Sequence, residues 1–221
     1  MLFRLRPLLA PVSQRSTDTL TVYSDYVCPF CYLGKAAMEE YLDDADDPPD
    51  VEWHFYDLRG YKRRPDGTID HDADDGKDDD YFAQVRENVE RLKDEYDVEM
   101  ALDFSKDVDS WNAQQAALYV RQTHDEATFL DFHEAVFEAL WEDERDIGDP
   151  GVLADVADEV GIDPEAVRDA TRDETLETEL RERFEAAQRA GVRGIPTFAY
   201  EGHAARGAIP PEQFERLIEG S

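Results

Sequence analysis

At 221 residues the chain is long enough to bury a sizeable core, as one large domain or as one domain carrying an insertion. Its formal charge of −31, from 54 Asp and Glu against 23 Lys and Arg, argues against nucleic acid or an anionic membrane as partner. Disorder is argued against in turn by 41% hydrophobic and 11% aromatic content, and by acid spread through every helical stretch rather than gathered in one tail. Five lysines (Lys35, Lys62, Lys77, Lys93, Lys106) stand against many arginines. Such a surface suits molar salt, where the Debye length falls to about 3 Å. It reads as the cytoplasmic surface of a halophile's protein.

In chain order, residues 1–18 hold a short apolar run broken by Arg4, Arg6 and Pro7. A secretory signal needs an uninterrupted apolar region of about 7–15 residues. No adjacent arginine pair supports a twin-arginine signal, so a flexible or surface-packed extension is predicted. No stretch is long enough to span a membrane. Leu20-Thr21-Val22-Tyr23, β-branched and aromatic, reads as a buried strand. Cys28-Pro29-Phe30-Cys31 follows, and Phe30, Leu33, Ala37 and Tyr41 recur at helical spacing. The two cysteines, the only ones in the chain, therefore sit where a strand hands over to a helix N-terminus. Pro29 fits the first turn, which has no use for the amide hydrogen that proline lacks.

That position favours an anion, because amide hydrogens and the positive end of the helix dipole point at it. Cysteines so placed have pKa values of roughly 3.5–7.5 in known cases. Cys28, the more exposed sulfur, is the predicted nucleophile, and Cys31, one turn on, is within reach to close a disulfide. Half of a zinc site or an inert structural pair would show the same spacing. Zinc wants four ligands, however, and there is no second cysteine pair, nor do His54, His71, His124, His133 and His203 show ligand spacing. No metal site is predicted. A lone redox pair is also what a reducing compartment permits, consistent with the cytoplasm.

After an acidic loop from Asp43 to Asp50, Val51 to Tyr56 alternates as a strand and completes a β-α-β unit, with His54 on a sheet face. Residues 60–80 lack periodicity. Asp70, Asp72 and Asp74 resemble the start of a calcium loop, but its required glycine is Asp75 and its twelfth residue is Tyr81, so a solvated acidic loop is predicted. From about Tyr81 to Ala190 the pattern is helical, with apolar series such as Phe82, Val85, Val89, Leu92 and Leu176, Leu180, Phe184, Ala187. Asp149-Pro150 and Asp163-Pro164 mark helix starts by cap and first-turn proline. Thr197–Tyr200 and His203–Ala208 read as a hairpin turning at Glu201-Gly202, and Pro210 to Glu219 as a closing helix. The segment between, Gly191-Val192-Arg193-Gly194-Ile195-Pro196, puts a proline at a strand entrance, where a lost backbone donor is costly. Together with the upstream cysteines this suggests a cis Ile195–Pro196 bond facing the sulfurs, with the Ile195 backbone free to pair with a substrate chain.

Asp25-Tyr26-Val27-Cys28-Pro29-Phe30-Cys31-Tyr32-Leu33-Gly34 and Gly191 to Pro196 resemble the two signatures of DsbA-family thioredoxin-fold proteins. The nearest branch is the FrnE-like dithiol-disulfide oxidoreductases, relatives of the 2-hydroxychromene-2-carboxylate isomerases and kappa-class glutathione transferases. Glu144-Arg145-Asp146-Ile147-Gly148-Asp149-Pro150 resembles a further segment of that branch. The resemblance spans roughly residues 19–219. It implies an α/β thioredoxin fold, with β-α-β and β-β-α halves, interrupted by a large all-helical insertion. The boundaries predicted are 19–78 and 172–221 for the thioredoxin-like domain and 79–171 for the insertion. It also implies Cys28 as nucleophile, Cys31 as resolving thiol and Pro196 as the cis-proline. Pro29, Phe30, Ile195 and, from the lid region, Trp111 are the predicted substrate contacts. The isomerase and transferase relatives usually carry serine where this chain has Cys28, which moves the expectation towards dithiol chemistry.

The predicted activity is thiol–disulfide exchange with protein or small-molecule thiols and disulfides, with no cofactor beyond the dithiol, glutathione as a candidate co-substrate, and monomer or homodimer left open. Phe30 carries no charge where the strongest oxidants of the family have a histidine, so a less oxidising protein is expected. Lys35 and Arg193 are weighed as thiolate stabilisers, with solvated surface the better account of Lys35. Asp25 is either a proton acceptor for Cys31 or a turn cap. Two rivals stand beside this: a glutathione-dependent isomerase or transferase acting on small aromatic substrates, and a non-catalytic thioredoxin-fold binding module.

Overall fold

The computed structural model describes residues 18–64, 67–70, 72–73, 76–102 and 108–220. The predicted extension before residue 18 lies outside them, as do His71, Asp74 and Asp75 of the acidic loop. Strand β1 (Thr19–Ser24) buries Leu20, Val22 and Ser24 and half-buries the residues between, as a strand covered on both faces must. It lies inside a four-stranded sheet of order β2-β1-β3-β4. Strand β2 (Asp50–Phe55) runs parallel to β1, setting Trp53 opposite Val22. Strand β3 (Thr197–Tyr200) runs antiparallel on the other side, setting Phe198 opposite the same valine. Strand β4 (His203–Arg206) closes the edge as a hairpin. Glu201 and Gly202 both take positive φ at its turn, 47° and 84°, the backbone a two-residue hairpin loop needs.

The parallel pair requires a crossover, which α1 (Pro29–Asp44) supplies. Its apolar face meets the sheet, and Gly34 is what lets it come close. A Cβ there would stand 3.2 Å from both the Phe198 ring and Pro196, and 3.3 Å from the Ala208 backbone. Between β2 and β3 lie α2 (Asp79–Glu95), α3 (Trp111–Thr123), α4 (Glu126–Trp141), α5 (Pro150–Glu159), α6 (Pro164–Ala170) and α7 (Glu174–Arg189). Five of these helices open on an aspartate (Asp78, Asp125, Asp149, Asp163, Asp173) whose carboxylate accepts from a first-turn amide. Part of the acid in the composition is thus helix-starting chemistry. The final helix, α8 (Pro211–Glu219), packs beside α1 and buries Phe214 against Phe198.

Helix α4 carries Phe129, Phe132, Val136 and Phe137 into a core continuous with the sheet. At its end, the Trp141 indole donates to the Tyr26 carbonyl at 2.8 Å, tying the insertion to the loop just before the cysteines. Among the described residues no helix is long and apolar enough to cross a membrane.

Candidate active site

Cys28 is the N-cap of α1 and Pro29 its first helical residue, so the helix begins on the sulfur-bearing residue itself. The Cys31 amide donates to the Cys28 carbonyl at 2.9 Å, which folds the second thiol back beside the first. Both cysteines are free thiols, and both are buried, at 4% and 1% exposure. Cys28 is the more exposed of the two, as expected, though both are covered. Its thiol points across a narrow gap at the Ile195 carbonyl, 3.9 Å away, and the Ile195–Pro196 bond is cis. Pro196 is buried, whereas Pro29, Phe30 and Ile195 are half-buried around the pair. Segments 167 residues apart are thereby brought face to face.

Beneath the dithiol, Asp25 is 2% exposed. One carboxylate oxygen accepts from the Val27 amide at 3.3 Å, the predicted turn-capping geometry. The other accepts from the Leu58 amide at 2.8 Å, and the Ser110 hydroxyl helps to hold the carboxyl down. Burial nonetheless pushes the Asp25 carboxyl up to about 7, with the charge of Asp57 adding to the rise and the donors opposing it. Burial likewise pushes the Cys31 thiol well up, the adjacent Cys28 adds to this, and the Asp25 backbone acts the other way.

Asp25 also lines a small cavity with Ser24, Tyr26, Trp53, His54, Phe55, Gln114 and His133. The Ser24 hydroxyl oxygen, Gln114 Oε1 and His133 Nε2 there find no hydrogen-bond partner among the described residues. His133 sits among Trp53, Phe129 and Phe137, its Nδ1 2.7 Å from the Tyr26 hydroxyl. Burial, followed by the charges of Lys35 and Arg121, lowers it to about 3, so the ring is neutral. Burial keeps Tyr26 protonated, and its hydroxyl shares one hydrogen bond with Nδ1, whose direction follows the histidine tautomer, while the imidazole ring borders the cavity.

Lys35 requires a correction. It is not a solvated surface residue but 4% exposed, because Glu39 at 2.8 Å and Glu134 neutralise it in place. Its described bonds go to these carboxylates and not to either sulfur. Arg193 is exposed. The Trp111 ring lies between the guanidinium groups of Arg63 and Arg181, 4.5 and 4.7 Å from its centroid, with Phe184 at its edge. None of its described contacts is with the dithiol; from this segment it is Ser110, one residue earlier, that reaches Asp25. Sequence reasoning placed Ser110 with Trp111 in the lid region and missed its link to Asp25, and it gave His133 no role. A histidine among Phe129, Phe132, Val136 and Phe137 was the available signal for the second.

A helix-capping cysteine pair opposite a cis-proline loop, on a sheet of this topology, defines a thioredoxin-fold dithiol protein. Residues 19–219 match the model of the DSBA-like thioredoxin domain, and the chain belongs to that family. An uncharacterized protein of Bacillus subtilis (strain 168), YwbO, is 28% identical over 203 residues, 91% of this chain and 96% of that protein. A probable DsbA oxidoreductase from Streptomyces coelicolor superposes with a TM-score of 0.76 at 21% identity, over 91% of this chain and 88% of that one. A 2-hydroxychromene-2-carboxylate isomerase does so with a TM-score of 0.71 at 16% identity, over 91% and 93%.

Proposed function

We propose that the protein is a thiol–disulfide oxidoreductase working through Cys28 and Cys31. The observation that carries this reading is Cys28 capping α1 while its sulfur faces the Ile195 carbonyl. As a thiolate, Cys28 attacks one sulfur of a substrate disulfide, forming a mixed disulfide and releasing the other sulfur as a thiolate that takes up a proton. Cys31 gives its proton to Asp25 and attacks the Cys28 sulfur, and the second substrate sulfur leaves. The substrate disulfide has then gained two electrons and the dithiol has lost them; the reverse sequence oxidises a substrate dithiol. Half-buried Pro29, Phe30 and Ile195 offer an apolar seat, and the Ile195 backbone a pairing edge, for the incoming chain.

The partners assigned are protein or small-molecule thiols and disulfides, in the cytoplasm, with glutathione as a candidate co-substrate and no resident cofactor. Incubation of reduced single-cysteine variants with a disulfide substrate tests the reading. Cys31→Ser is expected to accumulate the mixed disulfide, detected by mass, and Cys28→Ser to fall to the uncatalysed rate. Turnover that survives Cys31→Ala with glutathione would instead establish the isomerase or transferase reading. Two unreactive thiols would establish a binding module.

A further inference from the structure

We propose that Arg63 is the positioning residue that assembles the Asp25 carboxylate as acceptor for the Cys31 proton, by clamping the two loops that bring donors to it. The inference rests on the exchange reading above, in which Asp25 takes that proton. Two distant groups favour the charged form of Asp25: the Leu58 amide, on the loop after β2, bonded to it at 2.8 Å, and the Ser110 hydroxyl, at the start of α3. Each is preceded in the chain by an aspartate, Asp57 and Asp109. One guanidinium holds both. Arg63 Nε and Nη2 bind Asp57 at 2.9 and 3.2 Å, and Nη1 and Nη2 bind Asp109 at 2.9 and 3.0 Å. The remaining N–H, on Nη1, goes to the Gly67 carbonyl at 2.7 Å, so the five donors of the side chain are matched by five bonds.

The arrangement is built rather than incidental. The Arg63 side chain is 6% exposed, the Trp111 ring covers it at 4.5 Å, and the Trp111 amide bonds the same Asp109 at 3.1 Å. Ser110 caps no amide of α3, leaving its hydroxyl for Asp25, and it accepts from Gln114 at 3.1 Å. Loss of the clamp acts on Asp25 twice, in one direction. The donors that favour its charged form lose their footing, and the charge of Asp57 loses the cation beside it, so protonation is favoured. Lysine keeps the charge but cannot fork onto two carboxylates, which separates geometry from charge. The other titratable groups facing Asp25 are Asp57 on the loop after β2, Cys28 and Cys31 on α1, the adjacent Tyr26, and His54 of β2 and His133 of α4 across the cavity.

The test is a stopped-flow measurement of the resolving step: a coloured aromatic thiol is loaded on Cys28 as a mixed disulfide and its release by Cys31 is followed against pH. Arg63→Lys and Ser110→Ala are expected to move the rising limb up by about one pH unit, an approximately tenfold loss of rate below the midpoint. The Asp25 carboxyl midpoint, read by its carbon chemical shift in folded protein, is expected to move with it. Should Arg63→Lys fail to fold, Asp109→Asn keeps the shape, frees one arm of the clamp and is read the same way. A folded clamp variant whose limb and carboxyl midpoint stay in place overturns the proposal. If Asp25→Asn itself leaves the limb unchanged, the role of Asp25 as acceptor fails instead; if wild type exchanges no thiols, the function reading fails.

Discussion

Asp25 and His133 face the same cavity, and burial disfavours the charged form of each. The buried carboxyl titrates near 7 instead of near 4, and the buried imidazole near 3 instead of near 6.5. Their effects on stability have opposite signs. Between about pH 4 and 7 the folded state holds a proton on Asp25 that the unfolded chain has lost, so stability falls as pH rises through this window. For His133 the unfolded chain holds the extra proton between about pH 3 and 6.5, so stability rises with pH. Each amounts to about 4–5 kcal/mol at full development, from shifts of just over three units at roughly 1.4 kcal/mol each. The two nearly cancel across the mildly acidic range. Asp25→Asn removes one of them, and is expected to raise the denaturation midpoint at pH 8 while changing it little at pH 4. Urea melts at both pH values check this, and a gain of equal size at both would show that the carboxyl is not buried in its ionised form.

At the scale of elements, α1 is set by contact with β3, and Gly34 is the point of nearest approach. Gly34→Ala gains about 1 kcal/mol in helix propensity. Its added methyl would also meet Phe198, Pro196 and the Ala208 backbone at 3.2–3.3 Å, and overpacking of this kind costs about 1–3 kcal/mol. The packing term wins because one obstacle is backbone and another a fixed ring. A less stable protein with slower exchange is expected, since the same displacement carries Cys28 away from Ile195; thermal melting and a turnover assay read the two effects. Much of this level was legible in the sequence, because the signals are local. The Val22 strand, the proline-started helices at Asp149 and Asp163 and the Glu201-Gly202 turn each declare themselves within a few residues. What was not legible depends on partners far along the chain. The burial of Lys35 needs Glu134, the place of Trp111 needs Arg63 and Arg181, and the donors to Asp25 come from 58 and 110.

For the whole molecule, 54 acidic residues must coexist on one domain. Several are spent as helix caps or in pairs such as Arg145 with Glu159 at 3.0 Å and Arg183 with Glu179 at 2.7 Å, but the net −31 remains. Self-repulsion at that level is long-ranged in dilute buffer and short-ranged in brine. The melting temperature is therefore expected to climb between about 0.1 M and 2 M potassium chloride, across which the Debye length drops from about 10 Å to below 3 Å. A flat response would mean that local pairing already absorbs the charge.

The carboxylate beneath the dithiol also gives the chain an order of events during its own synthesis. Cys28 is made 167 residues before the Ile195 carbonyl it faces, and the Ser110 hydroxyl that holds Asp25 follows 85 residues after that aspartate. A growing chain thus carries both cysteines for most of its synthesis without the Ile195 loop that faces them. The face opposite the sulfurs arrives only with β3 and β4, so the site is the last part of the molecule to be assembled.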